Sequence, residues 1–281
     1  MTITELPSSR FKSAISKVKR ASELIKDIEE TLSAIHEAST QALTIKDHFD
    51  GTKTRVEVAI DWAPFLARLD LLRVMTGDAV HNLRSALDHL AYGIVSAFED
   101  PPKYLYFPID GDLNSLRAQR SFRIIERLTP DIADLIVREI KPYGDGNLFV
   151  KLNHLDRADK HRFLLTHRGT GTIHAYVSTN DDDVPRKAAD CLVLIKDDLL
   201  SEALRVPRPG TASAAHNNQY RRATFDVVFD KGLPFEHEPI VPTMRQLAQL
   251  VAHAINVLAA RCSDIDLLKT NKKDEPPTGT A

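Results

Sequence analysis

Nine residues in the middle of the chain, 81–89, combine several side chains that can do chemistry. They read His-Asn-Leu-Arg-Ser-Ala-Leu-Asp-His and lie between apolar flanks. Side chains three and four residues apart share a helix face, so positions 81, 84 and 88 form one row and positions 78, 82, 85 and 89 another. Buried polar groups cost about 1–3 kcal/mol each unless they find partners. The rows therefore predict either a functional site or a structural network in which Arg84 pairs with Asp88.

A second polar segment, 153–162, reads Asn-His-Leu-Asp-Arg-Ala-Asp-Lys-His-Arg. His154 and His161 are two helical turns apart and share a face, and charged or titratable side chains crowd positions 159–162 at the end of a predicted helix. The basic ones also have a purely structural explanation, because cations stabilise the C-terminus of a helix. Two clusters of the same character on two helices favour a common polar pocket between them.

The spacing of Arg84, four intervening residues and His89 on a long helix resembles the R-x4-6-H motif of the HEPN superfamily. The segments HNLRSALDHL and DKHR also resemble segments of uncharacterised bacterial proteins. The resemblance covers the helical part of the chain and leaves the β-rich part outside. It implies metal-independent RNA cleavage, in which the 2′-hydroxyl attacks the adjacent phosphodiester, and pairing of two protomers so that their motifs face each other.

The HEPN resemblance assigns the catalytic roles to Arg84 and His89. Arg84 would stabilise the charge on the phosphorane, because a guanidinium matches phosphate oxygens. His89 would act as general acid or base, because imidazole titrates near neutral pH. The residues expected to support them are His81, Asn82, Ser85, Asp88, His154, Asp159, Lys160 and His161.

Arginines recur every three or four residues on a helix predicted over 113–128, and such a row can bind RNA phosphates. A solvated helix face is the plain alternative. No aromatic-rich strip accompanies these arginines along the sequence, which argues against a dedicated platform for single strands. The RNA-binding candidates are Arg117, Arg120, Arg123, Arg127 and Arg162.

Two other classes of function stay open. The first is a metal site inside a helical bundle, built from histidines and aspartates at helical spacing. The HExxH, ExxH and EF-hand patterns are missing, so we expect neither a metal ion nor another cofactor. The second is a non-catalytic interaction module, whose polar residues fix the bundle register while the β-rich part binds a partner. Phosphate-binding loops and a nucleophile elbow are also missing, so NTPases, kinases, dehydrogenases and α/β-hydrolases are poorly supported.

The elements that must position these residues are mainly helices. The 281 residues include 37 Lys and Arg against 39 Asp and Glu, for a net charge of −2. That balance excludes a generic polycationic binder and leaves room for a local phosphate site. Apolar residues spaced three and four apart predict helices over 8–47, 63–98, 113–128, 130–140, 147–165 and 243–268.

Short β-rich runs interrupt the helices. Alternating residues predict a strand over 54–60, and the runs at 172–177, 191–195 and 224–229 predict a small antiparallel sheet. The fold class is therefore α+β: a helical bundle with a small antiparallel β-sheet insertion and a closing C-terminal helix. The expected division is a HEPN-like bundle over 1–165, a β-rich insertion over 166–240, a C-terminal helix over 241–269 that packs back on the bundle, and a disordered tail over 270–281.

The remaining features indicate a cytoplasmic protein. Cys191 and Cys262 cannot make a disulfide framework, and the N-terminus lacks the apolar run of a secretory signal. The most apolar stretch, 247–260, is interrupted by polar residues and shorter than the roughly 20 residues that a bilayer requires. We expect RNA and a second copy of the chain as partners, and no membrane.

Overall fold

The computed structural model describes residues 9–41, 43–49, 54–60, 66–161, 166–167, 170–177, 186–194, 202–206, 221–225 and 227–273. Most residues within these ranges are helical, so the prediction of a mainly helical chain is confirmed. After a 3₁₀ turn at Ser9–Phe11, the helices are α1 (Lys12–Gln41), α2 (Leu66–Val95), α3 (Leu113–Ala118), α4 (Arg120–Leu128), α5 (Pro130–Leu135), α6 (Leu148–His161) and α7 (Ile240–Lys273). None of the helices in the described ranges is long and apolar enough to cross a membrane.

A π-helical turn, Ile136–Ile140, directly follows α5. It closes with a hydrogen bond from the Lys141 backbone N–H to the Ile136 carbonyl, 2.8 Å long and five residues back. Lys141 itself has φ 50° and ψ 56°, a left-handed conformation that ends the helix.

The strands are short: β1 (Leu43–Phe49), β2 (Thr54–Ile60), β3 (Thr166–His167), β4 (Thr170–Val177), β5 (Arg186–Leu194), β6 (Glu202–Val206), β7 (Arg221–Phe225) and β8 (Val228–Phe229). They pair antiparallel in three sets, in the orders β1-β2-β6, β3-β8 and β5-β4-β7. The strand predicted over 54–60 has those bounds as β2.

The chain folds as two compact units. The first comprises Met1–Ile25, Gly77–Leu164 and Pro242–Ala281, and the second comprises Lys26–Thr76 and Leu165–Val241. This division differs from the expected one, which placed 26–76 in the helical bundle. Within the second unit β2 pairs with β6, with Thr54 opposite Val206.

The core of the first unit is formed by one apolar face of each helix. On α2 the side chains of Leu83, Leu87 and Leu90 are completely buried, and α7 contributes a row of the same kind. Phe11 packs against the backbone of α2, because a Cβ placed on Gly93 would lie 2.8 Å from its ring. Glycine at that position therefore permits the close approach of the 3₁₀ turn.

The second unit has its own buried residues. Ile28, Leu32 and Ile35 of α1 are buried, and the rings of Phe229 and Phe235 pack with their centroids 5.8 Å apart at an angle of 41°.

Several predicted helix bounds differ from the structure. The first helix ends at Gln41 rather than near residue 47, because Leu43–Phe49 pairs along its whole length with β2. The helix predicted over 113–128 breaks at Gln119, whose ψ of 138° is extended. The side-chain amide of Gln119 donates to the Ile109 carbonyl and to Asp110 Oδ2, each at 2.8 Å, so these tertiary contacts accompany the break.

The end of the last helix is also different from the prediction. α7 continues to Lys273, so residues 270–273 are helical rather than part of a disordered tail. Two lysines end this helix, where positive charge suits the helix dipole. Residues 274–281 and 162–165 lie outside the described part of the chain, and Arg162 is among them.

Candidate functional site

A band of polar side chains joins α2 to α6 within the first unit. The burial of Leu83 and Leu87 fixes the rotation of α2, so that positions 81, 84 and 88 face α6. α6 begins after Asn147, whose side-chain oxygen accepts a hydrogen bond from the Phe149 N–H at 2.9 Å. We call this band the polar seam, and its members are His81, Arg84, Asp88, Asn153, Asp156, Asp159 and Lys160.

Arg84 lies at the centre of the polar seam and is only 7% exposed. Its Nε donates to Asn153 Oδ1 at 2.9 Å, its Nη1 forms an ion pair with Asp88, and its Nη2 donates to the Phe107 carbonyl at 3.4 Å. All three guanidinium nitrogens therefore have acceptors within the protein. A buried cation with this set of partners holds the helices in register.

Asp88 completes the environment of Arg84. Its Oδ1 also accepts a hydrogen bond from the Phe107 backbone N–H at 2.8 Å. Burial raises the pKa of Asp88 above its ordinary value, against the opposing effects of the Arg84 charge and the Phe107 hydrogen bond, and the nearby charge of Asp156 adds to the rise.

A second set of contacts surrounds Asp156, which is 5% exposed. Its Oδ1 lies 2.9 Å from His81 Nδ1, and its Oδ2 accepts a hydrogen bond from Lys160 Nζ at 2.6 Å. The other ring nitrogen of His81, Nε2, lies 3.3 Å from Ser85 Oγ. The His81 side chain is 46% exposed, so this end of the polar seam opens to solvent.

Asp159 packs directly over the backbone of α2. A Cβ placed on Gly77 would lie 2.4 Å from Asp159 Oδ1, so the carboxylate occupies the space that a larger residue would fill. Burial raises the pKa of Asp159, as do the charges of Asp156 and Asp78, and the cationic neighbours only partly offset them. The acidic side chains make this end of the seam a poor binding site for phosphate.

His89 lies on a different face of α2 from Arg84. His89 is five positions after Arg84, which corresponds to about 140° around the helix axis. The neighbouring position on the His89 face, Asn82, accepts a hydrogen bond from Lys17 Nζ of α1 at 3.2 Å. His89 is half-buried and forms no hydrogen bond or ion pair within the described residues. The structure therefore does not bring Arg84 and His89 into one contact network.

The other predicted supporting residues divide in the same way. His154 is exposed and has no contact with the polar seam in the described side chains. The backbone of His161 ends α6, and its side chain lies outside the described part. Across the described residues no group of three or more His, Cys, Asp or Glu side chains is arranged to hold a metal ion.

Sequence reasoning missed two seam residues. Asp156 was identifiable from its spacing of four residues before Lys160, which is typical of a helical ion pair. Asn153 offered only a weaker signal, an amide side chain on the same helix one turn earlier. The role of the Phe107 carbonyl could not be predicted from the sequence, because every residue has a backbone carbonyl whatever its side chain.

A second polar region of the first unit lies on its surface, along α4. Arg120, Arg123 and Arg127 are exposed, and so is Arg117 on α3. Because of the break at Gln119, the four arginines do not lie on one helix as predicted. Among them only Arg127 has an ion-pair partner in the described residues, Glu99, at 2.7 Å.

The segment 99–110 contacts α4 at both ends of the helix. Gln119 contacts Ile109 and Asp110 at one end, and Arg127 contacts Glu99 at the other.

The side chains of that segment alternate between surface and core. Tyr104 is 67% exposed and Tyr106 is 56% exposed, whereas Leu105 and Phe107 are buried. Lys103 Nζ lies 5.3 Å from the centroid of the Tyr104 ring, within range of a cation–π interaction. We call this region the arginine–tyrosine surface, and its members are Lys103, Tyr104, Tyr106, Arg120, Arg123 and Arg127.

Comparisons with protein-family models, with curated proteins and with solved structures give no match to this chain.

Proposed function

We propose that this chain is a HEPN-like helical-bundle protein that binds single-stranded RNA through the arginine–tyrosine surface. One observation carries the proposal: the exposed rings of Tyr104 and Tyr106 lie on a segment tied to both ends of the helix that carries Arg120 and Arg123.

The chemistry of this surface suits a single strand. Aromatic side chains stack on unpaired bases, at about 1–3 kcal/mol per base, and arginine side chains bind the phosphates between them. Glu99 neutralises Arg127, so Arg120 and Arg123 supply the guanidinium groups without an ion pair in the described residues. A net charge of −2 for the whole chain does not oppose this, because the phosphates interact with nearby charges within a Debye length.

RNA cleavage by Arg84 and His89 is the second candidate function. It is favoured by His89, whose half-buried imidazole makes no hydrogen bond within the described residues and is available for proton transfer. The contacts of Arg84 favour the non-catalytic alternative, because a phosphate would have to displace Asp88 or Phe107 from the guanidinium. We therefore place RNA binding before RNA turnover.

The β-rich segment belongs to the same proposal. We propose that 166–240 is an antiparallel insertion in a HEPN-like bundle, closed by the C-terminal helix. The antiparallel registers of β4 with β5 and of β4 with β7 support it.

Binding is tested by fluorescence anisotropy with a short fluorescein-labelled RNA of mixed sequence, single-stranded or annealed to its complement. We expect the single strand to bind more tightly than the duplex. The double variant Tyr104→Ala/Tyr106→Ala should weaken single-strand binding about tenfold or more, since each lost stack removes about 1–3 kcal/mol.

The matched control is Tyr104→Phe/Tyr106→Phe, which keeps both rings and should bind like the unchanged protein. Equal affinity of the alanine and phenylalanine variants, or no binding by the unchanged protein, would overturn the proposal.

Cleavage is tested on the same RNA in the presence of EDTA. Products that form with the unchanged protein and are lost in His89→Ala support the second candidate. Intact RNA in both reactions, or equal cleavage by both proteins, removes it.

A further inference from the structure

We infer that Ser85, His81 and Asp156 form a nucleophile–base–carboxylate chain that transfers acyl groups from small esters, an activity separate from the proposed RNA binding. The chain runs from Ser85 Oγ to His81 Nε2 at 3.3 Å, and from His81 Nδ1 to Asp156 Oδ1 at 2.9 Å. This is the order of contacts that activates a serine hydroxyl, irrespective of fold or sequence position.

The buried carboxylate determines the tautomer of the imidazole. In the proposed chain the Asp156 carboxylate accepts a hydrogen bond from His81 Nδ1–H, which leaves Nε2 as the acceptor for the Ser85 hydroxyl. The lone pair of Nε2 then points to Ser85 Oγ. Lys160 holds the second carboxylate oxygen at 2.6 Å, which fixes the orientation of Asp156.

The hydroxyl of Ser85 differs in its contact from the hydroxyls of three other helical serines. Ser22, Ser33 and Ser263 each donate to the carbonyl four residues earlier, at 3.0–3.1 Å, which is the usual contact of a serine inside a helix. Ser85 contacts instead the side chain four residues earlier, His81. Its hydroxyl therefore faces a base rather than a backbone acceptor.

A cation lies on the same side of the helix. Asn82 is one turn before Ser85, and Lys17 Nζ donates to Asn82 Oδ1 at 3.2 Å. An ammonium group on this face can stabilise the negative oxygen that develops when a nucleophile attacks a carbonyl. Both His81 and Ser85 remain accessible to solvent, so a small ester can reach them.

The reaction proceeds in two balanced steps. Ser85 Oγ attacks the carbonyl carbon as His81 Nε2 takes the hydroxyl proton, and the imidazolium then returns that proton to the departing alcohol, leaving an acyl-serine. Water attacks the acyl-serine with the same proton transfers and releases the carboxylic acid and free Ser85. Asp156 is a positioning residue, because it acts through His81.

The experiment uses the full chain with a biotinylated fluorophosphonate and with p-nitrophenyl acetate. We expect covalent labelling that peptide mapping assigns to Ser85, and ester hydrolysis that falls at least tenfold in Ser85→Ala and in His81→Ala. Asp156→Asn should lower kcat and change the shape of the pH–rate profile for ester hydrolysis, a change that loss of folded protein would not produce.

The matched control is Ser22→Ala, which removes a hydroxyl bonded to a backbone carbonyl and should change neither readout. Ser85→Ala should bind RNA like the unchanged protein, so failure of the two proposals is distinguishable. A protein that reacts at a residue other than Ser85, or hydrolyses the ester equally well as Ser85→Ala, refutes the inference.

Discussion

Arg84 and the arginines of α4 are the same residue type in opposite surroundings. Arg84 is 7% exposed and donates to Asn153, Asp88 and the Phe107 carbonyl, whereas Arg120 and Arg123 are exposed and have no ion pair within the described residues. Both sets were singled out in the sequence as phosphate-binding residues. The structure separates them by the partners that each guanidinium already has.

This difference shows that sequence spacing can identify an arginine as a candidate, but it does not show whether the guanidinium is free to bind an anion. A guanidinium whose three nitrogens each have an acceptor within the protein holds the helices in register and is occupied by protein groups rather than by a ligand. An exposed guanidinium contributes little to stability and is free to bind an anion. Variants at the two regions should therefore change different measured quantities.

The largest effect is expected from Arg84→Ala, which should lower the free energy of unfolding by about 3–5 kcal/mol, because it leaves the partly buried Asp88 without its cation. Denaturant unfolding measures the loss. Arg123→Ala is the control and should stay within about 0.5 kcal/mol of the unchanged protein. Equal unfolding curves for the two variants would contradict the conclusion that Arg84 stabilises the fold and Arg123 does not.

A smaller loss of stability is expected from Gly77→Ala. Alanine normally stabilises a helix interior by about 1 kcal/mol relative to glycine. Here its Cβ would overlap Asp159, so we expect a net destabilisation of about 1–3 kcal/mol. A gain in the thermal unfolding midpoint would show that Asp159 does not pack over α2.

The surface arginines should affect RNA binding and not folding. In Arg120→Ala/Arg123→Ala, the plot of log affinity against log salt should flatten by about 1.4, because two fewer phosphates are neutralised on a single strand. The unfolding curve should not move. An unchanged salt slope would place the RNA, if it binds, elsewhere on the protein.

The smallest effect concerns pH. The folded-state pKa values of Asp88 and Asp159 are raised, so both carboxyls bind protons more tightly in the folded than in the unfolded chain. The stability that these two carboxyls contribute to the folded chain is fully present below their ordinary pKa, near pH 4. It is lost as the pH rises through their raised folded-state pKa values.

Asp159→Asn should therefore raise the unfolding midpoint at pH 7 and flatten the fall in stability over that window. Asp131→Asn, at an exposed carboxyl that pairs with Arg261 at 2.6 Å, is the control and should not gain stability at pH 7. A steeper pH dependence in Asp159→Asn than in the unchanged protein would contradict the raised pKa.

The sequence predicted the helices and the facing polar rows, because a period of 3.6 residues is a local property. Arg84 also donates a hydrogen bond to the Phe107 carbonyl. The sequence pattern does not show that the segment carrying Phe107 lies next to α2. The break at Gln119 is of the same kind, since it coincides with contacts to residues 109 and 110. The exposure of Tyr104 and Tyr106 could not be predicted without knowing that Leu105 and Phe107 are buried.

The π-helical turn Ile136–Ile140 bears on how this chain tolerates changes in length. Its closing hydrogen bond spans five residues, one more than in an α-helix, and rotates the following side chains by about 100° relative to an unbroken α5. We expect the deletion of one residue from this turn to restore the α-helical period. The number of residues in this turn, more than their side chains, therefore sets the direction in which the chain continues after α5.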